Sequence, residues 1–216
     1  MRIEVYSDVI CPWCYIGTRR LARAVAEHPD GHSVEMVFRP YQLDPHAPES
    51  PVPIHEYLSR RYGNAATGML RRVSEIAREE DLDVRFDRAV AVNTFAAHRL
   101  MWLAEREFGA ESQRKLAERI FEGHFIKGAN VADQRFLVDA AASAGMTRYR
   151  VSQFLESGEG VLEVHRQLDR ARAIGIQAVP TFIFDDRFLL EGAHQAFEFR
   201  RTLDQVFEQQ RRLSAG

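Results

Sequence analysis

The sequence predicts an α/β fold in which a sheet-bearing domain is interrupted by a large all-helical insertion. Three observations carry the prediction. Met1 to Arg39 reads as strand, helix, strand; Ile54 to about Gly160 keeps helical spacing almost throughout; and strand character returns only around Pro180.

Taken in order, Met1 to Ser7 alternates Ile3 and Val5 with polar neighbours, the period of a half-buried strand. Pro12 suits a first helical position, and Ile16, Leu21, Ala24 and Val25 form the apolar side of the helix behind it, which puts Cys11 at the N-cap. Ser33 to Arg39, with Val34, Met36 and Phe38 alternating, predicts a second strand parallel to the first through a right-handed crossover. Pro40, Pro45, Pro48, Pro51 and Pro53 then end the sheet and read as a linker. Helices are predicted over Asn93 to Phe108, Ala110 to Phe125 and Asp133 to Ala144, with Gly109, Gly128 and Gly145 as stops. Val161, Val164, Leu168 and Ala171 stripe a further helix that ends at Gly175. Pro180 to Phe184 and Arg187 to Leu190 read as a hairpin about a two-residue turn at Asp185-Asp186. The last helix turns Phe199, Leu203, Val206 and Phe207 inward, and Ser214 to Gly216 is expected to fray.

Composition narrows the function. Hydrophobic residues make up 45% and charged residues 28%, ordinary for a globular protein. The formal charge of -2 gives no basic surface for nucleic acid or an anionic membrane, and Arg71-Arg72 and Arg211-Arg212 lie among acids or at a helix end. No run of about twenty apolar residues could span a bilayer, and the first residues enter a strand without an apolar signal core, so a cytoplasmic location is expected.

The chain has two cysteines, both in Cys11-Pro12-Trp13-Cys14. In a reducing compartment such a pair at a strand-to-helix junction points to redox chemistry rather than to a structural disulfide. At a helix start the unpaired backbone N–H groups and the positive end of the helix dipole favour a thiolate, so Cys11 is the expected attacking thiol. Cys14, one turn further in and less accessible, is the expected resolving thiol. Asp8 reads either as a polar strand end or as a carboxyl that accepts or relays the Cys14 proton. A closed zinc site needs four ligands, and none of the eight histidines shows paired spacing with a cysteine, so no metal is expected.

Four segments in this order resemble the DsbA-like branch of the thioredoxin superfamily, and within it the cytosolic FrnE-like subgroup, over essentially the whole chain. They are Ser7-Asp8-Val9-Ile10-Cys11-Pro12-Trp13-Cys14-Tyr15-Ile16-Gly17; Arg39-Pro40-Tyr41-Gln42-Leu43-Asp44-Pro45; Asn93-Thr94 with Ala97-His98-Arg99; and Ala178-Val179-Pro180-Thr181-Phe182 with Gly192-Ala193. The resemblance implies a thioredoxin fold, residues 1–48 and 161–216, interrupted by a helical domain, residues 49–160. It implies thiol-disulfide oxidoreductase activity with Cys11, Cys14, Pro12, Trp13 and Pro180 at the centre. It also implies a cis peptide before Pro180, a bond that proline tolerates far better than other residues. The turn would face the thiols and leave the Val179 backbone, next to Thr181, free to pair with an extended substrate. His98 matches a position lining the cleft above the thiols, and reads equally as a core histidine; Asn93 with Thr94 caps that helix in either case. Relatives with a second cysteine pair near the C-terminus differ from this chain, which leaves isomerase-type shuffling by such a pair without support here.

Three functions fit the sequence. The leading one is dithiol-disulfide exchange with a disulfide-containing or dithiol protein or peptide, with no bound cofactor and with glutathione as a possible redox partner. The second is a glutathione-dependent transferase or isomerase acting on small molecules; similar enzymes carry a serine where Cys11 stands, and the cysteine here argues for redox. The third is a binding module or chaperone indifferent to the redox state of the pair. An apolar face of the insert could equally be a homodimer face or core, since periodicity does not separate the two.

Overall fold

The computed structural model describes residues 1–214; of the expected fray, Ala215 and Gly216 lie outside the described residues, and the last helix runs to Ser214. Strand β1 (Arg2–Ser7) is followed by α1 (Pro12–Glu27), a 3-10 turn over Gly31–Ser33, and β2 (Glu35–Pro40). β1 and β2 pair in parallel, Val5 opposite Phe38, as the crossover requires. After the insert come α8 (Val161–Ala173), β5 (Thr181–Phe184), β6 (Phe188–Glu191) and α9 (Ala196–Ser214). The sheet order β2-β1-β5-β6 places β1 at the centre, antiparallel to β5.

Alternation along β1 sorts its side chains between two layers. Ile3 and Val5 join the main core with Leu21 and Ala24 of α1 and Phe199 and Leu203 of α9. Tyr6 faces the other way, onto Ala171 of α8 and Ile176. Ser7 therefore follows Ile3 and Val5 on the α1 side.

The insert contains α2 (Ile54–Tyr62), α3 (Ala65–Arg78), α4 (Phe95–Leu103), α5 (Ala110–Phe125), α6 (Gln134–Ser143) and α7 (Arg148–Glu156). It is not wholly helical. β3 (Val52–Pro53) and β4 (Val90–Ala91) form a two-residue antiparallel ladder, too short for any periodicity to show in the sequence. The helix expected over Asn93 to Phe108 starts only at Phe95 and passes into a π-helical turn at Ala104–Phe108. That turn brings Glu105 onto Arg39 of β2, which Glu4 of β1 also holds at 2.7 Å. The hairpin differs too: Phe184 pairs with Phe188, so its loop is Asp185 to Arg187, one residue longer than expected. Asp185 and Asp186 take positive φ of 47° and 55° there.

Edge strand β2 is closed by a side chain. Gln113 of α5, 1% exposed, accepts from Phe38 N–H at 2.8 Å and donates to Phe38 O at 3.0 Å and Met101 O at 3.1 Å. Its amide thus does what a neighbouring strand would do for those backbone groups.

Candidate active site

Pro12 is the first residue of α1, and its missing N–H falls where no intrahelical partner exists. Cys11 is the N-cap with extended backbone, φ -88° and ψ 113°, and its side chain makes no capping bond, which leaves the thiol for other contacts. Cys11 N–H donates to Asp8 O at 3.0 Å and Cys11 O accepts from Cys14 N–H at 3.0 Å, a tight entry that sets the two sulfurs side by side. Both are free thiols. The Val179–Pro180 peptide bond is cis, and the Cys11 thiol points at Val179 O, 3.8 Å away.

Cys11, the expected attacking thiol, is itself buried. The residue is 3% exposed, against 0% for Cys14. The order of accessibility is as expected, but Ile10, Trp13 and Val179 pack onto the core that holds both cysteines, so Cys11 keeps only a narrow opening. Pro12 and Trp13 are half-buried beside it. Burial raises the Cys14 thiol well above its ordinary value, and the neighbouring Cys11 raises it further; the Ser7 hydroxyl and the Asp8 backbone N–H act in the opposite direction.

Asp8 is 1% exposed and its two oxygens have separate duties. Oδ2 accepts from Leu43 N–H at 2.8 Å, and Oδ1 meets His98 Nε2 of α4 at 3.3 Å. His98 is buried, so one side of the cysteine loop rests on a buried carboxyl-imidazole pair across the two parts of the fold. His124 of α5 joins this region and was not singled out from the sequence. It lies in the field of Asp8, its Nδ1 donates to Ala129 O, and burial lowers its pKa to about 4. Its Nε2 has no hydrogen-bond partner among the described residues. Standing between Gly123 and Phe125 on a helix, it gave no signal that sequence reasoning could use.

Other candidates have more structural duties. Asn93 accepts from Phe95 N–H at 2.9 Å and donates to Pro45 O at 3.2 Å, which starts α4 and ties down the proline-rich loop. Thr181, 1% exposed, donates its hydroxyl to Ala178 O at 2.7 Å and braces the turn from inside. Val179 is half-buried, and its carbonyl faces Cys11. Gly17 explains how α1 comes so near this turn: a Cβ there would lie 3.0 Å from Pro180 Cγ and 3.3 Å from the Ala193 Cα. Among the described residues, no group of three or more His, Cys, Asp or Glu side chains could hold a metal ion, and no helix is long and apolar enough to cross a membrane.

Residues 2–204 match the model of the DSBA-like thioredoxin domain. The chain belongs to that family. Among solved structures, a probable DsbA oxidoreductase from Streptomyces coelicolor superposes with a TM-score of 0.87 at 29% identity, over 96% of this chain and 90% of that one. The cytosolic disulfide reductase DsbM from Pseudomonas aeruginosa, solved with glutathione, shares the fold with a TM-score of 0.67 at 16% identity, over 96% of this chain and 100% of that one. The Bacillus subtilis protein YwbO is 27% identical over 192 residues, 86% of this chain and 88% of that protein. This DSBA-like chain is thus a member of a disulfide-oxidoreductase family, and the thiols, the cis-proline turn and the buried Asp8–His98 pair meet at one place in its fold.

Proposed function

We propose that this protein exchanges dithiols and disulfides through Cys11 and Cys14. Cys11 thiolate attacks a substrate disulfide, forms a mixed disulfide and releases one substrate thiolate. Cys14 then attacks the Cys11 sulfur, closes the Cys11–Cys14 disulfide and releases the second substrate thiol. In the reverse direction a dithiol substrate is oxidised by the closed pair. The observation that carries this reading is the adjacency of two free thiols at the start of α1, the outer one facing the Val179 carbonyl beside a cis-proline. With a 3% opening at Cys11, the substrate suited to the site is an extended, unfolded segment or a small disulfide such as that of glutathione, the molecule held by the similar DsbM structure. A cytoplasmic setting, in which glutathione keeps the pair reduced, fits the same reading.

The test is an insulin-reduction assay with dithiothreitol and a glutathione-disulfide titration read by mass spectrometry. Cys11→Ser should abolish turnover and the glutathione adduct. Cys14→Ser should trap the adduct on Cys11. Full activity in Cys11→Ser would overturn the proposal. A saturable conjugation of chlorodinitrobenzene that survives alkylation of Cys11 would favour a glutathione transferase instead.

A further inference from the structure

Two buried side-chain atoms have neither a hydrogen bond nor an ion pair among the described residues, Ser7 Oγ and His124 Nε2; the other two buried atoms without a hydrogen bond, on Arg20 and Glu80, sit in ion pairs. Ser7 is the more informative. It ends β1 at the inward position after Ile3 and Val5, both wholly buried and apolar, and is itself only 4% exposed. A hydroxyl left unpaired in such a place costs about 1–3 kcal/mol, so an alanine would serve packing better. Its surroundings supply the reason for it. Ser7 follows Val5 on the face of β1 that packs into the same core as the wholly buried Cys14, its hydroxyl favours the Cys14 thiolate, and it borders a void of about 10 Å³ that His98 and Arg39 also line.

We propose that Ser7 is a catalytic hydroxyl that donates a hydrogen bond to the Cys14 thiolate during the resolving step. The inference rests on the dithiol-exchange reading above and adds to it the group that receives the second sulfur's charge. With both cysteines as free thiols, the Ser7 hydroxyl makes no hydrogen bond of normal geometry among the described residues. When Cys14 gives up its proton and attacks the Cys11 sulfur, negative charge appears in an apolar pocket, and the nearby donors are the Ser7 O–H and the Asp8 backbone N–H. A bond to a charged sulfur satisfies both partners at once. The Cys14–Cys11 bond then forms, the bond from Cys11 to the substrate sulfur breaks, and the substrate leaves as a thiolate that takes up from solvent the equivalent of the proton Cys14 lost, so that it is released as the thiol. The hydroxyl ends where it began, with its own proton. The ionisable groups around this step are Cys11 on its loop, Asp8 paired with His98 of α4, His124 of α5, and Arg39 of β2, whose charge Glu4 and Glu105 balance.

The experiment is stopped-flow reaction of the reduced full-length protein with dithionitrobenzoate, which releases one coloured thionitrobenzoate as Cys11 attacks and a second as Cys14 resolves. In Ser7→Ala the first release should keep its rate. The second should slow about tenfold or more and its pH midpoint should rise by about one unit, the loss of one hydrogen bond to a charged atom. Ser7→Thr keeps the hydroxyl, has the neighbouring void for its methyl, and should restore both rate and midpoint. A second phase within about twofold of the wild type in Ser7→Ala, with the same midpoint, would overturn the role of Ser7, since the lost bond is worth more than that. A Ser7→Thr protein as slow as Ser7→Ala would also overturn it, pointing to packing instead. A wild-type protein that releases no thionitrobenzoate at all would fail at the earlier step and bring down the exchange reading itself.

Discussion

His124 shows how burial alone sets a residue's chemistry. Its side chain is fully enclosed, one ring nitrogen donates to Ala129 O, and desolvation holds its pKa at about 4 against an ordinary 6.5, with the Asp8 charge pulling only weakly the other way. The folded protein therefore keeps a neutral imidazole at a pH where the unfolded chain takes up a proton. A base with a depressed folded pKa contributes stability above its unfolded pKa, and that contribution is lost as pH falls from 6.5 toward 4. The loss is on the order of 3 kcal/mol by linkage. Urea unfolding across this range should show the slope, and His124→Gln, which can still donate to Ala129 O, should flatten it; an unchanged slope would assign the acid sensitivity elsewhere. Nothing local marks this histidine, whereas the site residues around Cys11 stand in one continuous motif. The Ser7 hydroxyl lies between these cases. Its inward register after Ile3 and Val5 could be read from the strand, but that its neighbour would be a sulfur could not.

At the scale of elements, α1 and the turn before β5 bring the Cys11 thiol to 3.8 Å from the Val179 carbonyl, and at Gly17 the two pack closely. A methyl there meets Pro180 Cγ at 3.0 Å, the Phe182 ring at 3.2 Å and the Ala193 backbone at 3.3 Å; the proline ring and the backbone have little freedom to yield. Gly17→Ala should cost about 1–3 kcal/mol by overpacking. It should also move the Val179 carbonyl away from Cys11, so that insulin reduction falls by more than the drop in urea midpoint explains. A variant with wild-type turnover would show that the close approach is not needed for exchange. Helices with apolar stripes, such as α5 and α8, were legible because a period of 3.6 repeats over several turns. The β3–β4 ladder, the π-helical turn at Ala104–Phe108 and the three-residue hairpin loop were not, because each depends on one or two residues and on a partner far along the chain.

For the molecule as a whole, the question is what fastens the insert to the sheet domain near the site. Arg20 of α1, 3% exposed, donates to Glu80 Oε1 at 2.6 Å and to Ala193 O at 2.8 Å, so one side chain links the active-site helix, the end of α3 and the turn after β6. Arg23 reaches the same Glu80 at 3.0 Å from the solvent side. Arg20→Leu would leave the buried Glu80 charge held only by the half-exposed Arg23 and should cost about 3 kcal/mol, the low end for a broken buried pair, while the double variant Arg20→Leu with Glu80→Leu should recover much of that. Urea unfolding of the three proteins measures it, and a double variant as unstable as the single would mean that the pair stabilises by itself. The charges of Arg20 and Glu80 are far apart in sequence and no pattern joins them. What the sequence determined unaided is local: the cysteine pair on a helix start behind Pro12, the strand and helix periods, the proline-rich exit from the sheet, and through them the fold. Neighbouring residues set those features, so they are written in neighbouring letters. Only the tertiary structure decided how far Cys11 is covered, that a carbonyl 168 residues away faces its sulfur, and that Asp8 beside the cysteine loop meets His98 of α4 and acts on His124 of α5. Those depend on which surfaces pack together, and packing is settled by the whole chain at once.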